Sequence, residues 1–214
     1  MTRIAVLDYG MGNLRSVCKA LEHVAPRGTT VTLATAAADL ARADRVVFPG
    51  QGAIGGCVLA LQQSGLREAL PDAMRDKPFL GICLGLQALY EHSDEGGGVA
   101  GLGVLAGQVR RFPGGKDARG NVLKIPHMGW NRVRPTRPHP LWAGIEADER
   151  FYFVHSYYAD GALPAQIAGE CEYGTRFTAA AARDNVFAVQ FHPEKSARAG
   201  LRLLENFVGW DGKS

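Results

Sequence analysis

The sequence predicts an α/β protein with a doubly wound mixed sheet, which has a parallel core and appended antiparallel strands. In the first half of the chain, short apolar runs alternate with segments whose apolar residues recur at helical spacing. This alternation is typical of a parallel sheet covered by helices on both faces. Beyond about residue 103, short apolar runs follow one another between turn residues, which indicates antiparallel hairpins.

The predicted elements extend without a linker from one end of the chain to the other. In the first half they are strand 4–7, helix 13–24, strands 31–33 and 45–48, helices 53–63 and 65–75, strand 79–82 and helix 84–92. In the second half they are strands 104–112, 122–124, 132–134, 151–158, 165–170, 177–182 and 186–191, and a helix over 197–208. Glycine-rich segments 96–98 and 113–115 predict loops, so one domain over 1–214 is expected.

Composition favours a soluble, cytoplasmic protein. The net charge is only +3, from 24 basic and 21 acidic residues, and it includes no dense basic block that would indicate nucleic acid or membrane binding. The 4 cysteines have no C-x-x-C spacing, and the N-terminus lacks a secretory signal, so reduced thiols are expected. No uncharged apolar run reaches the roughly 18 residues of a membrane helix.

Residues 79–87, FLGICLGLQ, are the most informative segment of the chain. The motif G-x-C-x-G is the thiol counterpart of the G-x-S-x-G turn, which raises a nucleophile above an α/β sheet between a strand and a helix. Glycines on both sides remove side chains that would clash in the turn. The helix N-terminus favours thiolate over thiol. We therefore predict that Cys83 is a nucleophile, although an isolated cysteine in an apolar run is more often a buried structural thiol, the role expected of Cys18, Cys57 and Cys171.

A base for Cys83 is available in the segment VQFHPEK. Side chains two residues apart on an extended segment point the same way, so Glu194 can orient His192 while the second imidazole nitrogen faces the thiol. Pro193 keeps the preceding residue out of the helical region and preserves this geometry. Metal binding by His192 and Glu194 is the weaker alternative because no third ligand stands at a recognisable spacing, and no metal or other cofactor is expected.

Oxyanion donors are predicted on either side of the nucleophile. The backbone N–H of Leu84 follows Cys83 in the elbow. The loop P-G-Q-G, with Gly50, Gln51 and Gly52, follows a predicted strand at the same sheet edge. Spacing alone favours an ordinary βα turn or a phosphate-binding loop over an oxyanion loop as the interpretation of these glycines.

Taken together, these motifs resemble the class I (triad) glutamine amidotransferases, whose fold is flavodoxin-like. The resemblance is closest to the glutaminase subunits of imidazole glycerol phosphate synthase. The shared segments are G-I-C-L-G-x-Q, P-G-Q-G, F-H-P-E-K-S, the opening DYGMGNLRSV (8–17), HMGWN (127–131) and FYFVHSYY (151–158). The last three segments point to the synthase subunit, and the others mark the wider family.

The resemblance implies that Cys83 attacks the amide of L-glutamine, with His192 and Glu194 completing a catalytic triad. The implied glutamine-binding residues are Gln87, Glu95, His155, Ser156 and Tyr157. The family delivers its ammonia to a (β/α)₈ cyclase subunit, which forms imidazole glycerol phosphate and an aminoimidazole carboxamide ribonucleotide. The residues that match positions at that subunit interface are Asn13, Trp130, Tyr152 and Lys195. A chain of 214 residues has no room for a fused barrel of ~250 residues, so we expect a separate cyclase polypeptide in a heterodimer.

Three other classes of function stay open at this stage. The first is the glutaminase of a different ammonia-channelling synthase, and the second is a stand-alone cysteine hydrolase. The third is a non-catalytic binding module with a flavodoxin-like sheet. The chain also departs from many relatives at Gln51, where they carry a small apolar residue in P-G-x-G. Because the expected donor there is a backbone N–H, the mechanism survives this change. We expect the loop to be inactive in the free subunit and to reorient when the cyclase binds its substrate.

Overall fold

The computed structural model describes residues 1–116 and 120–213; Ser214, the last residue of the predicted domain, lies outside them. In chain order the helices and strands are β1 (Arg3–Leu7), α1 (Leu14–Val24), β2 (Thr30–Ala34), α2 (Ala37–Arg42), β3 (Arg45–Gly50), α3 (Ile54–Gln63), α4 (Leu70–Asp76), β4 (Phe79–Cys83), α5 (Leu84–Leu89), β5 (Tyr90–Ser93), β6 (Val99–Ala100), β7 (Leu105–Arg111), β8 (His127–Pro135), β9 (Glu149–His155), β10 (Tyr157–Asp160), β11 (Ile167–Glu172), β12 (Arg176–Arg183), β13 (Val186–Val189) and α6 (Ala197–Gly209). None of these helices is long and apolar enough to cross a membrane.

The predicted mixed sheet is confirmed. Its parallel core has the order β2-β1-β3-β4-β13. Beyond β13 the sheet continues through the antiparallel neighbours β12, β10 and β7 to β5 and β6. A branch leaves β12 through β11 to β8, and β8 pairs with β9 in an antiparallel hairpin. The parallel core therefore carries the strand ends on which the predicted site depends.

Two hydrophobic cores lie on the two faces of the sheet. Along β1, Ile4 and Val6 pack in one core with α1 and α6, whereas Ala5 and Leu7 pack in the other with α3, α4 and α5. This division follows from the period of two along a strand, which sends successive side chains to opposite faces. Because both faces are covered, the central strands β4 and β13 are buried along their whole length.

Several predicted boundaries were wrong because pairing between distant strands overrides local preference. The helix predicted over 84–92 ends at Leu89, and the next four residues form β5 beside β7. The run 151–158 is two strands that separate at Ser156, since β9 pairs with β8 and β10 pairs with β7. Residues 122–124 form only an isolated bridge at Val122. Helix α2 was not predicted because it buries a single apolar residue, Leu40.

Candidate active site

Cys83 lies at the tip of a strand–turn–helix, as the motif predicted. Its backbone has φ 54° and ψ −103°, a left-handed conformation that is strained for a residue with a side chain. Both flanking glycines lie where a side chain has no room: a Cβ on Gly81 would lie 3.0 Å from the Cβ of Ala188, and one on Gly85 would overlap the backbone oxygen of Phe48. The turn is therefore held by close contact with neighbouring strands.

Strand register brings three distant segments of the chain to Cys83. The residue opposite it on β3 is Gly50, the first glycine of the P-G-Q-G loop. On its other side, Val189 of β13 pairs with Ile82, so the chain leaves β13 beside Cys83 and continues to His192. The site consequently forms at the carboxyl edge of the parallel sheet, the usual ligand edge of open α/β sheets.

His192 and Glu194 form the predicted pair. The Nδ1 of His192 donates to Oε1 of Glu194 over 2.9 Å, and the two side chains are only 6% and 1% exposed. Burial by itself lowers the pKa of His192, but the hydrogen bond and charge of Cys83, followed by those of Glu194, raise the pKa to about 10. Since Nδ1 of His192 is bonded to the carboxylate of Glu194, the other ring nitrogen, Nε2, faces the sulfur of Cys83.

A cleft of about 450 Å³ opens above Cys83. The residues that line it are Gln51, Gly52, Cys83, Leu84, Gln87, Glu95, Pro126, Val154, His155, Ser156, Tyr157, His192 and Lys195. The structure thus brings together the predicted nucleophile, its predicted base, most of the predicted oxyanion segment and all the predicted glutamine-binding residues. Among the described residues, Glu194, which is bonded to His192, and Gly50, which opposes Cys83 on β3, do not line the cleft.

The opening segment of the chain braces the P-G-Q-G loop. The hydroxyl of Tyr9 donates to the carbonyl of Pro49 over 2.9 Å. A Cβ on Gly50 would lie 2.5 Å from that hydroxyl and 2.8 Å from the Cβ of Leu84, and Gly52 has φ 95°. Glycine is therefore required at position 50 because neighbouring atoms approach closely, and at position 52 because the backbone has a positive φ. The roles of Gly50, Gln51, Gly52 and Leu84 as oxyanion donors stay predictions.

Glu95 joins the cleft to the helix that follows the P-G-Q-G loop. Its Oε2 accepts a hydrogen bond from the backbone N–H of Ile54, the first residue of α3, over 2.8 Å. A carboxylate at this position also interacts favourably with the helix dipole. From the sequence alone, Glu95 is a solvated charge in a glycine-rich loop. Its hydrogen-bond partner, Ile54, is 41 residues away and could not be recognised from spacing.

A buried amide chain at Cys83 was missed from the sequence. Gln190 is fully buried, and its Nε2 lies 3.6 Å from the Sγ of Cys83 as a donor. Its Oε1 accepts from Nε2 of Gln87 over 3.0 Å, and the same nitrogen donates to the carbonyl of Tyr157 over 2.9 Å. The available signal was a polar residue between the apolar residues Val189 and Phe191.

Two buried histidines continue this chain toward the HMGWN segment. His155 lies between the carbonyl of Tyr157, 2.8 Å from its Nδ1, and the Nδ1 of His127, 2.9 Å from its Nε2. Asn131 lies 3.2 Å from Nε2 of His127. Burial lowers the pKa of His127 to about 4 and that of His155 to about 3, so both rings are neutral at pH 7.

Three of the four predicted interface residues lie in one surface cluster. Trp130 and Tyr152 make an edge-to-face contact with ring centroids 6.2 Å apart, and Nζ of Lys195 lies 5.9 Å from the centroid of Tyr152. Asn13 precedes α1, which packs against the turn over 193–195. In the described ranges, no group of three or more His, Cys, Asp or Glu side chains is arranged to hold a metal ion.

Comparison with known proteins identifies the family. The class-I glutamine amidotransferase profile matches residues 5–209. The imidazole glycerol phosphate synthase subunit HisH of Aromatoleum aromaticum is 58% identical over 212 residues, which cover 98% of this chain and 99% of that protein. The same subunit of Dechloromonas aromatica is 61% identical over 209 residues, covering 97% and 96%.

Solved structures agree on the fold. PurLQS from Thermotoga maritima has a TM-score of 0.68 and 18% sequence identity, with 97% of this chain and 98% of that chain covered. At this identity the likeness shows the fold alone, whereas the subunit-level assignment depends on the full-length relatives. The chain belongs to the class-I glutamine amidotransferases and, within them, to the HisH subunits of imidazole glycerol phosphate synthase.

Proposed function

We propose that this glutaminase subunit hydrolyses L-glutamine at Cys83, with His192 as proton carrier and Glu194 as its orienting carboxylate. The observation that carries the proposal is the buried Cys83–His192–Glu194 chain at the base of a cleft. This is the arrangement of nucleophile, base and orienting acid that acyl transfer needs.

In the first half-reaction, the sulfur of Cys83 attacks the side-chain amide carbon of glutamine and forms a C–S bond. The electron pair of the carbonyl moves to its oxygen, which the backbone N–H of Leu84 and the P-G-Q-G loop stabilise. When the intermediate collapses, the C–N bond breaks and His192 gives its proton to the leaving nitrogen. The raised pKa of His192 keeps that proton available at neutral pH.

In the second half-reaction, His192 takes a proton from water as the water oxygen attacks the thioester. Cys83 then leaves, and L-glutamate is released. Glu194 holds the imidazole by one nitrogen throughout, so that the other stays directed at the reacting atoms. No step requires a metal or an organic cofactor.

The cleft also supplies groups for the amino-acid end of glutamine. Glu95 offers a carboxylate for the α-ammonium group, and the segment His155-Ser156-Tyr157 offers backbone and hydroxyl groups for the α-carboxylate. Gln87 lines the same cleft, although its Nε2 is already bonded to Tyr157 and Gln190. These assignments predict that loss of Glu95 mainly raises KM.

Ammonia released at Cys83 passes, in this proposal, to a separate cyclase subunit docked over the β8–β9 hairpin. Registered pairs place Met128 opposite Val154 and Trp130 opposite Tyr152 on one face. Met128 is 62% and Trp130 49% exposed, which is unusual for large apolar side chains. This face adjoins the cleft through Val154 and Lys195, both of which line it.

The test is a glutaminase assay of the chain alone, with the cyclase, and with the cyclase and its nucleotide substrate. We expect activity to be greatest in the substrate-loaded complex and to disappear in Cys83→Ala, while Cys18→Ala, a change to a half-buried thiol on α1, retains it. A glutamine-analogue electrophile should label Cys83, and glutamine should block that labelling. Activity in Cys83→Ala would exclude this mechanism, and equal rates for free and loaded subunits would exclude gating at the P-G-Q-G loop.

A further inference from the structure

The side chain of Gln190 has no role in the mechanism above, yet it contacts the reacting sulfur. It is fully buried, and an amide without hydrogen bonds is costly in such a place. The register of β13 against β4 pairs Val189 with Ile82, so Gln190 follows directly beside Cys83. Its Nε2 lies 3.6 Å from Sγ, within the range of a hydrogen bond to sulfur.

The direction of this hydrogen bond is fixed by a backbone carbonyl. The oxygen of Tyr157 can only accept, so the NH₂ group of Gln87 must face it. The second hydrogen of that NH₂ group points to Oε1 of Gln190. The amide of Gln190 is consequently oriented with its own NH₂ group toward Cys83, because a flipped Gln190 would place its NH₂ group against the NH₂ group of Gln87.

The same carbonyl fixes the tautomers of both buried histidines. Because the carbonyl of Tyr157 accepts from Nδ1 of His155, the Nε2 of His155 is an acceptor and takes the Nδ1–H of His127. Nε2 of His127 then accepts from the amide of Asn131. The neutral pair thus anchors the carbonyl that orients Gln87.

We propose that Gln190 is a further catalytic residue, which donates a hydrogen bond to the sulfur of Cys83 and is held in the donating orientation by Gln87 and the carbonyl of Tyr157. The donor stabilises negative charge on the sulfur before attack and holds the sulfur facing the cleft, beside His192. This inference rests on the proposed function of Cys83. It adds a contact to the triad and leaves the reaction steps unchanged.

The position of Gln190 predicts a particular kinetic signature. In the described part of the chain, the residues that line the cleft include Gln87 but not Gln190, which lies behind the nucleophile. Substitution of Gln190 should therefore lower kcat and leave KM close to its original value. A residue that held glutamine directly would raise KM instead.

The experiment compares Gln190→Met, which keeps the length of the side chain without its donor, with Gln190→Glu, which places an oxygen where the NH₂ group stood. We expect the alkylation rate of Cys83 by iodoacetamide at pH 7, followed by peptide mass spectrometry, to fall about tenfold or more in Gln190→Met. The fall should be larger in Gln190→Glu, and kcat of the cyclase complex should fall in parallel. The matched control is Gln166→Met, which removes a side-chain hydrogen bond of 3.0 Å from the backbone of Ala106 outside the cleft.

Alkylation at the original rate in a folded Gln190→Met would overturn the proposal, as would a rise in KM at constant kcat. If Gln190→Met does not fold, the same comparison is made with Gln190→Glu, in which an unchanged alkylation rate has the same meaning. Failure of the proposed function has a different signature, because Cys83→Ala would then retain glutaminase activity whatever Gln190 does.

Discussion

Cys83 and His192 show how single residues at this site combine strain with charge. Cys83 has a positive φ that only a few non-glycine residues in the described chain share. The contacts of the elbow hold this conformation, and the sulfur is thereby directed at His192. The buried carboxylate of Glu194 adds a negative charge that favours the protonated imidazole. In the proposed mechanism, strain and electrostatics both place the reacting groups before glutamine arrives.

Removal of the orienting charge should slow the reaction without unfolding the protein. In Glu194→Gln the amide keeps the shape of the side chain but no longer stabilises the imidazolium, so kcat should fall about 100-fold or more. The steady-state rate of glutamine hydrolysis by the cyclase complex measures this. Glu205→Gln is the control, because Glu205 is an exposed partner of Arg202 on α6. Equal kcat values for the two variants would contradict the role of Glu194.

Buried neutral histidines should make the protein sensitive to acid. Burial, and then the charge of Arg137, lower the pKa of His139 from 6.5 to about 4. A histidine whose pKa is lower in the folded than in the unfolded protein stabilises the fold at pH values above the unfolded pKa. That contribution is lost as the pH falls from about 6.5 toward about 4. The effect of His192 on stability has the opposite pH dependence. Its raised pKa contributes stability below pH 6.5, and this contribution is lost as the pH rises through about 10.

The variant His139→Asn tests the predicted loss of stability in acid that arises from His139. Nδ1 of His139 accepts from the backbone N–H of Leu141 at the start of a short helical turn, and asparagine can replace it as a cap. Between pH 7 and pH 4.5 the free energy of unfolding should fall by about 1–2 kcal/mol less in the variant than in the original protein, with allowance for solvent screening. Urea titrations at the two pH values measure this fall in the free energy of unfolding. A larger fall in the variant than in the original protein would contradict a lowered pKa for His139.

At the scale of elements, the site depends on how closely α5 packs on β3. Gly85 lies in the first turn of α5 directly against the backbone of Phe48, and this approach sets the height of Cys83 above the sheet. Glu95 provides a second connection between elements, since it binds the first N–H of α3 while it lines the cleft. The two connections flank the P-G-Q-G loop, at Phe48 before it and at Ile54 after it.

Gly85→Ala should be strongly destabilising. The added methyl group would overlap backbone atoms of β3, and a backbone cannot yield as a flexible side chain does, so we expect a loss of about 3 kcal/mol or more. Gly209→Ala, in the last helical residue of α6, meets nothing within 4 Å and should be neutral or slightly stabilising. Denaturant unfolding of both variants measures the difference, and similar stabilities would show that α5 moves freely away from β3.

At the scale of the whole molecule, the exposed apolar face of the β8–β9 hairpin is the feature that the isolated chain leaves unexplained. In Trp130→Ala we expect binding to the cyclase to weaken about 10- to 100-fold, because large aromatic side chains dominate interface energetics, while the melting temperature stays the same. Calorimetric titration measures the affinity. Leu33→Ala is the control, since Leu33 is 46% exposed on β2 at the far edge of the sheet. Equal affinities for the two variants would place the cyclase elsewhere.

The sequence by itself determined what depends on local spacing. The glycines around Cys83 require a turn, the H-P-E segment places His192 and Glu194 side by side, and alternation of apolar runs predicts the parallel core. Each of these inferences involves residues within a few positions of one another, where bond geometry alone limits the arrangement.

Only the tertiary structure decided the contacts that depend on register between distant strands. Gln190 meets Cys83 across 107 residues, and His155 meets His127 across 28. The break at Ser156 arises because two successive strands choose different partners. A shift of one residue in any of these pairings would turn the side chains to the opposite face, so neither composition nor spacing could have placed Gln190 against the sulfur of Cys83.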